Sequence, residues 1–149
     1  MSGWTSTRLA LVLTAVVLTG TGGAAIWTAL TLQDLVTASQ LIVVGEIVAI
    51  GEHPTGTQDV ASIRIEELLL ARPAVRGGLS EALLLVPSRS IRYVSSDVVL
   101  YKAGQRGIWF LRRDPGSNDE LYLADHPQRL KSINELAEVR AYLKSATPR

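Results

Sequence analysis

The sequence predicts a mainly β fold: a small, closed or nearly closed antiparallel barrel of five or six strands, with a short helix near each end. Short runs rich in β-branched residues alternate with Gly, Pro, Asn and Asp, the pattern of strands joined by turns. Helix-capping sequences stand before the first strand and after the last. Because closure removes exposed strand edges, these strands favour a barrel. A β-sandwich is the alternative.

Composition limits the size and the chemistry of the domain. The chain has 149 residues, of which 47% are hydrophobic and 19% charged, and this balance indicates one folded domain rather than a disordered chain. The formal net charge of +1 gives little reason to expect a nucleic-acid partner. Since the chain has no cysteine, it has no disulfide, no thiol nucleophile and no Cys-ligated zinc or iron–sulfur cluster.

Residues 1–25 have the three parts of a secretory signal peptide. Arg8 is the only charged residue in this segment. An apolar run over residues 9–19 and a small-residue stretch over residues 20–25 follow it, so we expect cleavage just before Ile26.

The alternative for the same segment is an uncleaved membrane anchor. Residues 9–27 are nineteen uncharged residues, close to the roughly 20 that a membrane-spanning helix needs. In that case they would be the only membrane contact. Both interpretations predict that residues 26–149 form a single exported domain, periplasmic or extracellular.

The first predicted elements are a short helix and a long strand. Thr31 followed three residues later by Asp34 resembles a capping box and predicts the start of the helix. Residues 41–50 are rich in Val and Ile and predict a strand, in which Gly45 indicates a bulge or a bend. Residues 53–56 predict the turn that ends it.

The remaining strands follow from alternation and from apolar runs. Residues 59–68 alternate, with Ile63 and Ile65 facing inward and charged residues facing outward. Further strands are predicted over residues 82–86, 107–111 and 120–124. Residues 88–103 have no clear pattern, and residues 98–101 fit either a short strand or part of a loop.

The C-terminal segment predicts a helix. Ser132 and Glu135 have the spacing of a capping box. Apolar residues recur after them at helical spacing: Ile133, Leu136, Val139 and Leu143. This stripe is expected to pack against the barrel.

Three parts of the sequence carry a resemblance to known domains: residues 32–47 with Gly45, the alternating run at 63–67, and residues 104–111. The pattern resembles a group of small exported bacterial domains of unassigned activity. It is also similar to the OB-like inhibitory domain of the tissue inhibitors of metalloproteinases. The resemblance covers residues 31–124 and implies an OB-like barrel. That family chelates the protease zinc through an N-terminal cysteine, which is absent here, so the inhibitory activity is not carried over.

Catalysis has few candidate residues. His53 and His126 each precede a proline in turn-like sequence and are expected to be turn residues. A hydrolase would combine His126 and Asp125 with one of four serines. These are Ser88, Ser90, Ser95 and Ser96. The chain has no Gly-x-Ser-x-Gly elbow, no His-x-x-x-His spacing and no phosphate-binding glycine loop. We therefore expect no enzymatic activity, no bound metal and no cofactor.

Charge is distributed unevenly along the exported part of the chain. Residues 34–87 contain seven acids and three arginines, whereas residues 88–113, the basic segment, contain six basic residues and one acid. Aromatic residues interleave the basic segment, and OB-like barrels bind extended ligands through basic and aromatic side chains. We therefore hypothesise a docking surface for an anionic partner. Its residues are Arg89, Arg92, Tyr93, Lys102 and Arg106.

The alternative explanation of these charges is intramolecular. Arg64, Arg89 and Arg92 would pair with the acidic half across the sheet. Three aromatic residues would then belong to the core: Trp109, Phe110 and Tyr122.

The predicted function is that of an exported binding or interaction module. Its partner would be an anionic envelope or surface ligand, such as a phosphate-bearing lipid head group or a polysaccharide, or an acidic protein. Nucleic acid is not expected, because an exported chain seldom meets it. The alternative is a protein–protein or protease-inhibitor-like module. A hydrolase using His126 ranks third.

Overall fold

The computed structural model describes residues 27–54, 56–73, 75, 78–88, 90, 98–117 and 120–146. The predicted signal peptide and all but the last residue of the alternative anchor lie outside this part of the chain. Among the described residues, no helix has both the length and the apolar character that crossing a membrane requires.

Six strands and two α-helices make up the described part of the domain. They are α1 (Leu32–Ala38), β1 (Leu41–Glu52), β2 (Gln58–Ala71), β3 (Glu81–Pro87), β4 (Arg106–Arg113), β5 (Leu121–Leu123), β6 (Leu130–Lys131) and α2 (Leu136–Ala146). Two 3₁₀ turns, Pro127–Arg129 and Ile133–Glu135, flank β6. Both predicted helices are confirmed. The capping box at Thr31 starts α1, and the one at Ser132 starts the 3₁₀ turn Ile133–Glu135 that leads directly into α2.

Five strands close into a barrel, and β6 extends the sheet beside β4. The order is β1-β2-β3-β5-β4, and β4 pairs back onto β1. This confirms the OB-like barrel rather than the β-sandwich. One pairing, between β3 and β5, is parallel. The reason is parity, because a closed ring with an odd number of strands cannot be antiparallel at every pairing.

The barrel interior is filled by alternate residues of its strands. Trp109 and Leu111 of β4 are fully buried and pack against Val43 of β1 and Ile63 of β2. Ile63 and Ile65 face inward as the alternation predicts, with Ile65 at the edge of the core. The register between β1 and β2 shifts beside Gly45, which confirms the predicted irregularity there.

A second apolar layer lies outside the barrel, on β1 and β4. Leu35 of α1 and Val139 of α2 are buried against Ile42 and Phe110, whose side chains point away from the interior. Arg72, just after β2, donates to the carbonyls of Ser39 at 2.7 Å and Val36 at 3.2 Å and so ties α1 to the barrel. The two helices therefore cover the outer face of β1 and β4.

Candidate functional site

A groove of about 380 Å³ opens at one end of the barrel, and we call it the end groove. Its walls come from the start of β2, the end of β3, residues 98–101 and residues 123–125. Most of these side chains are apolar: Leu85, Pro87, Val98, Val99 and Leu123 are among them. Barrel mouths with apolar walls and a few polar groups are common ligand sites.

Tyr101 anchors one wall of the end groove. Its ring packs on Trp109 in an edge-to-face arrangement with centroids 5.3 Å apart. Its hydroxyl donates to the carbonyl oxygen of Ala124 at 2.7 Å. Burial raises the pKa of the Tyr101 phenol far above its ordinary value, with the Asp125 carboxylate adding to the rise. The phenol therefore stays protonated and holds residues 98–101 against β5.

Asp125 lies at the polar edge of the groove between two arginines. Its carboxylate accepts from Arg112 at 2.5 Å and from Arg129 at 3.0 Å. Burial acts to raise the pKa of Asp125, but the hydrogen bond and charge of Arg112, together with Arg129, outweigh it and lower that pKa. Arg129 is only 6% exposed and also donates to the Phe110 carbonyl at 3.2 Å. The half-exposed carboxylate is thus held in its ionised form by the two arginines.

His126 contacts Trp27 and Thr28, which lie just before α1. Its Nδ1 accepts from the Gln128 N–H at 3.1 Å, so its Nε2 carries the proton and donates to the Thr28 carbonyl at 3.0 Å. The ring of Trp27 packs edge-on against it, with centroids 5.0 Å apart. Leu30 is fastened to the same turn, its N–H donating to Gln128 Oε1 at 2.6 Å. These contacts fasten residues 27–30, the N-terminal lead, to the barrel.

The hydrolase arrangement considered from the sequence is not assembled in the described part of the chain. Both ring nitrogens of His126 face backbone groups, and Asp125 faces arginines. The hydroxyls of Ser88 and Ser90 lie 2.8 Å apart and bond to each other. Ser95 and Ser96 lie outside the described residues. Within the described residues, no group of three or more Asp, Glu or His side chains could hold a metal ion.

Of the five predicted docking residues, the structure describes two, Lys102 and Arg106. Arg89, Arg92 and Tyr93 lie outside the described residues. Lys102 is exposed, one residue after the groove-lining Tyr101. Arg106 lies on the outer face of the barrel.

The guanidinium of Arg106 is already engaged by an acid. Its Nε donates to both carboxylate oxygens of Glu66, at 2.9 and 3.0 Å, and a second nitrogen approaches to 2.5 Å. This hydrogen bonding lowers the pKa of Glu66 and raises that of Arg106. Arg106 is thus paired with Glu66 and is not among the residues that line the end groove.

Other surface arginines pair in the same way. Arg64 contacts Glu46 at 3.0 Å, and Arg140 of α2 contacts Glu67 at 2.5 Å. For Arg64 this realises the intramolecular pairing that the charge pattern offered as an alternative. Such exposed pairs contribute only about 0–1 kcal/mol each, but they neutralise the charge that a ligand would meet.

The end groove was not predicted from the sequence. Val98, Val99 and Tyr101 fall in the stretch without a clear pattern, and no local rule predicts that they meet Leu85 and Leu123. The available signal was the four consecutive apolar residues at 98–101, which are too many for an ordinary solvated loop.

Comparison with known proteins adds nothing to this geometry. No protein-family model matches the chain, and no curated protein matches it.

Proposed function

We propose that the chain is an exported, non-catalytic binding module that docks an anionic partner at the end groove through the basic segment. The observation that supports this is the path of the chain. Pro87 and Val98, which stand on either side of Arg89, Arg92 and Tyr93 in the sequence, both line the groove. Arg89, Arg92 and Tyr93 are thus flanked in the sequence by two groove-lining residues.

The chemistry of the groove indicates what kind of anion would fit. Its walls are mainly apolar, and its one described carboxylate, Asp125, is shared by two arginines. A small, densely charged ion would gain little from apolar walls. A partner with an apolar portion beside an anionic group would bury the former and pair the latter with the basic segment.

Among the described basic residues, we assign this role to Lys102. It is exposed and follows the groove-lining Tyr101, and its backbone N–H donates to Gln105 Oε1 at 2.7 Å, which holds the turn. Arg106 would have to exchange Glu66 for the partner. We therefore assign Lys102, with Arg89 and Arg92, the main electrostatic part, and Arg106 a smaller one.

The test is salt-dependent binding of a soluble polyanion, heparin, to the full chain. The variant Arg89→Ala/Arg92→Ala/Lys102→Ala is expected to lose about a hundredfold in affinity at low salt and to show a weaker dependence on salt. The control Arg64→Ala/Arg140→Ala/Lys144→Ala removes the same charge elsewhere and is expected to change affinity by about threefold or less. Equal losses in both variants, or binding indifferent to salt, would contradict the proposal.

The alternative proposal is a protein–protein or protease-inhibitor-like module. An inhibitor of that kind needs a segment that projects into a cleft. The N-terminal lead instead lies on the barrel, fastened by His126 and Gln128. This alternative therefore has less support than docking at the groove, and a hydrolase has less still because His126 is used as a structural cap.

A further inference from the structure

We infer that the rim of the end groove faces an anionic phospholipid bilayer, with the side chain of Leu100 entering the head-group region. This inference rests on the proposed function and names its partner. It differs from a membrane anchor, because the contact is made by the folded barrel and not by residues 9–27.

Leu100 is the first observation. Its relative exposure is 57%, the highest of the exposed large hydrophobic residues in the described part of the chain, the others being Val48 at 44%, Leu68 at 49% and Leu83 at 40%. Its neighbours Val99 and Tyr101 line the groove, so Leu100 is held outward between two anchored residues.

The second observation is the residue type beside it. Lys102 is exposed two positions after Leu100, in a turn that contains Gly104 at a φ of 86°. An exposed aliphatic side chain next to a basic one suits the bilayer interface, where the first enters the acyl boundary and the second pairs with phosphate. A soluble polysaccharide would make no use of Leu100.

The absence of cysteine makes a direct test clean. The full chain carrying Leu100→Cys is labelled with an environment-sensitive fluorophore and mixed with vesicles of phosphatidylglycerol and phosphatidylcholine. Leu68→Cys, exposed on β2 ten residues after the groove-lining Gln58, is the matched control. We expect a blue shift and quenching by a lipid-borne quencher at position 100, at least about fivefold stronger than at position 68. Equal responses, or silence at position 100, would overturn the inference.

A second variant separates this inference from the proposed function. Leu100→Ser changes an exposed side chain, and we expect it to weaken vesicle binding by about tenfold while leaving heparin binding unchanged. Vesicle binding unaffected by Leu100→Ser would overturn lipid contact. If position 100 is silent but salt-dependent heparin binding persists, only the lipid partner is wrong. If both are lost, the proposed function fails as well.

Discussion

The indole N–H of Trp109 donates to the backbone carbonyl of Gly45 at 2.9 Å inside the barrel. Trp109 is fully buried, so its N–H requires a partner within the protein. At Gly45, β1 passes close to β2: a Cβ built there would stand 2.5 Å from the Arg64 carbonyl oxygen and 2.8 Å from Cγ2 of Ile63. One small residue and one large one thus join β1, β2 and β4.

The bond predicts the effect of Trp109→Phe. The change removes the donor, leaves the Gly45 carbonyl without it and opens a small cavity, so the free energy of unfolding should fall by about 2–3 kcal/mol. Urea unfolding followed by circular dichroism measures this. Trp27→Phe, a change of half-exposed surface, should cost less than about 1 kcal/mol. Equal losses of unfolding free energy in the two variants would show that the buried hydrogen bond contributes no more than a surface contact.

Gly45→Ala should destabilise the barrel by about 2 kcal/mol or more, because both atoms that the new Cβ meets belong to a paired strand. The matched control is Gly51→Ala in the same strand. A Cβ at Gly51 meets nothing within 4 Å, so its thermal unfolding midpoint should stay within a few degrees of the wild type. A Gly45→Ala variant as stable as Gly51→Ala would contradict the close approach of β1 and β2.

Asp125 predicts a dependence of stability on pH. Because Arg112 and Arg129 hold the pKa of this carboxyl below 3.8, its contribution is present above pH 3.8 and is lost as the pH falls through the folded-state pKa. Asp125→Asn should therefore cost about 2 kcal/mol at neutral pH, since it leaves Arg129 buried without its anion, and almost nothing in strong acid. Unfolding measured from pH 7 to pH 2 checks this. A difference in unfolding free energy that stays constant over that range would exclude the ionised pair. The control is Glu138→Gln on the exposed face of α2, which should cause no comparable loss of unfolding free energy at neutral pH.

The pair between Arg106 and Glu66 predicts a gain of binding. Glu66→Gln releases the Arg106 guanidinium, so heparin affinity should rise by about threefold at low salt and return to the wild-type value at high salt. Glu67→Gln releases Arg140 on α2 and serves as the control for the lost negative charge. If both changes raise affinity equally, net charge and not Arg106 explains the effect.

The predicted signal peptide is tested by sequencing the N-terminus of the exported chain. We expect it to begin at Ile26, one residue before Trp27, which packs on His126. Ala25→Leu places a large residue where the small one is needed and should block processing. A chain that begins at Met1 would favour the anchor.

The sequence by itself determined the elements whose physics is local. The caps at Thr31 and Ser132 bond to residues within three positions, so their spacing alone locates both helices. The alternation around Ile63 identifies the face of β2 that points into the barrel. Gly45, in a run of β-branched residues, identifies β1 as the strand whose register with β2 is irregular. These features depend on neighbours in the chain, which the sequence displays.

Only the tertiary structure decided the parallel pairing of β3 with β5, the end groove, and the partner of Arg106. Glu66 stands 40 residues from Arg106, and Val98 meets β3 and β5 only because the barrel closes. Contacts of this kind depend on the strand order and register that bring distant residues together. A charge or an apolar run in the sequence carries no information about that register, so the surface left free for a partner emerged only from the closed barrel.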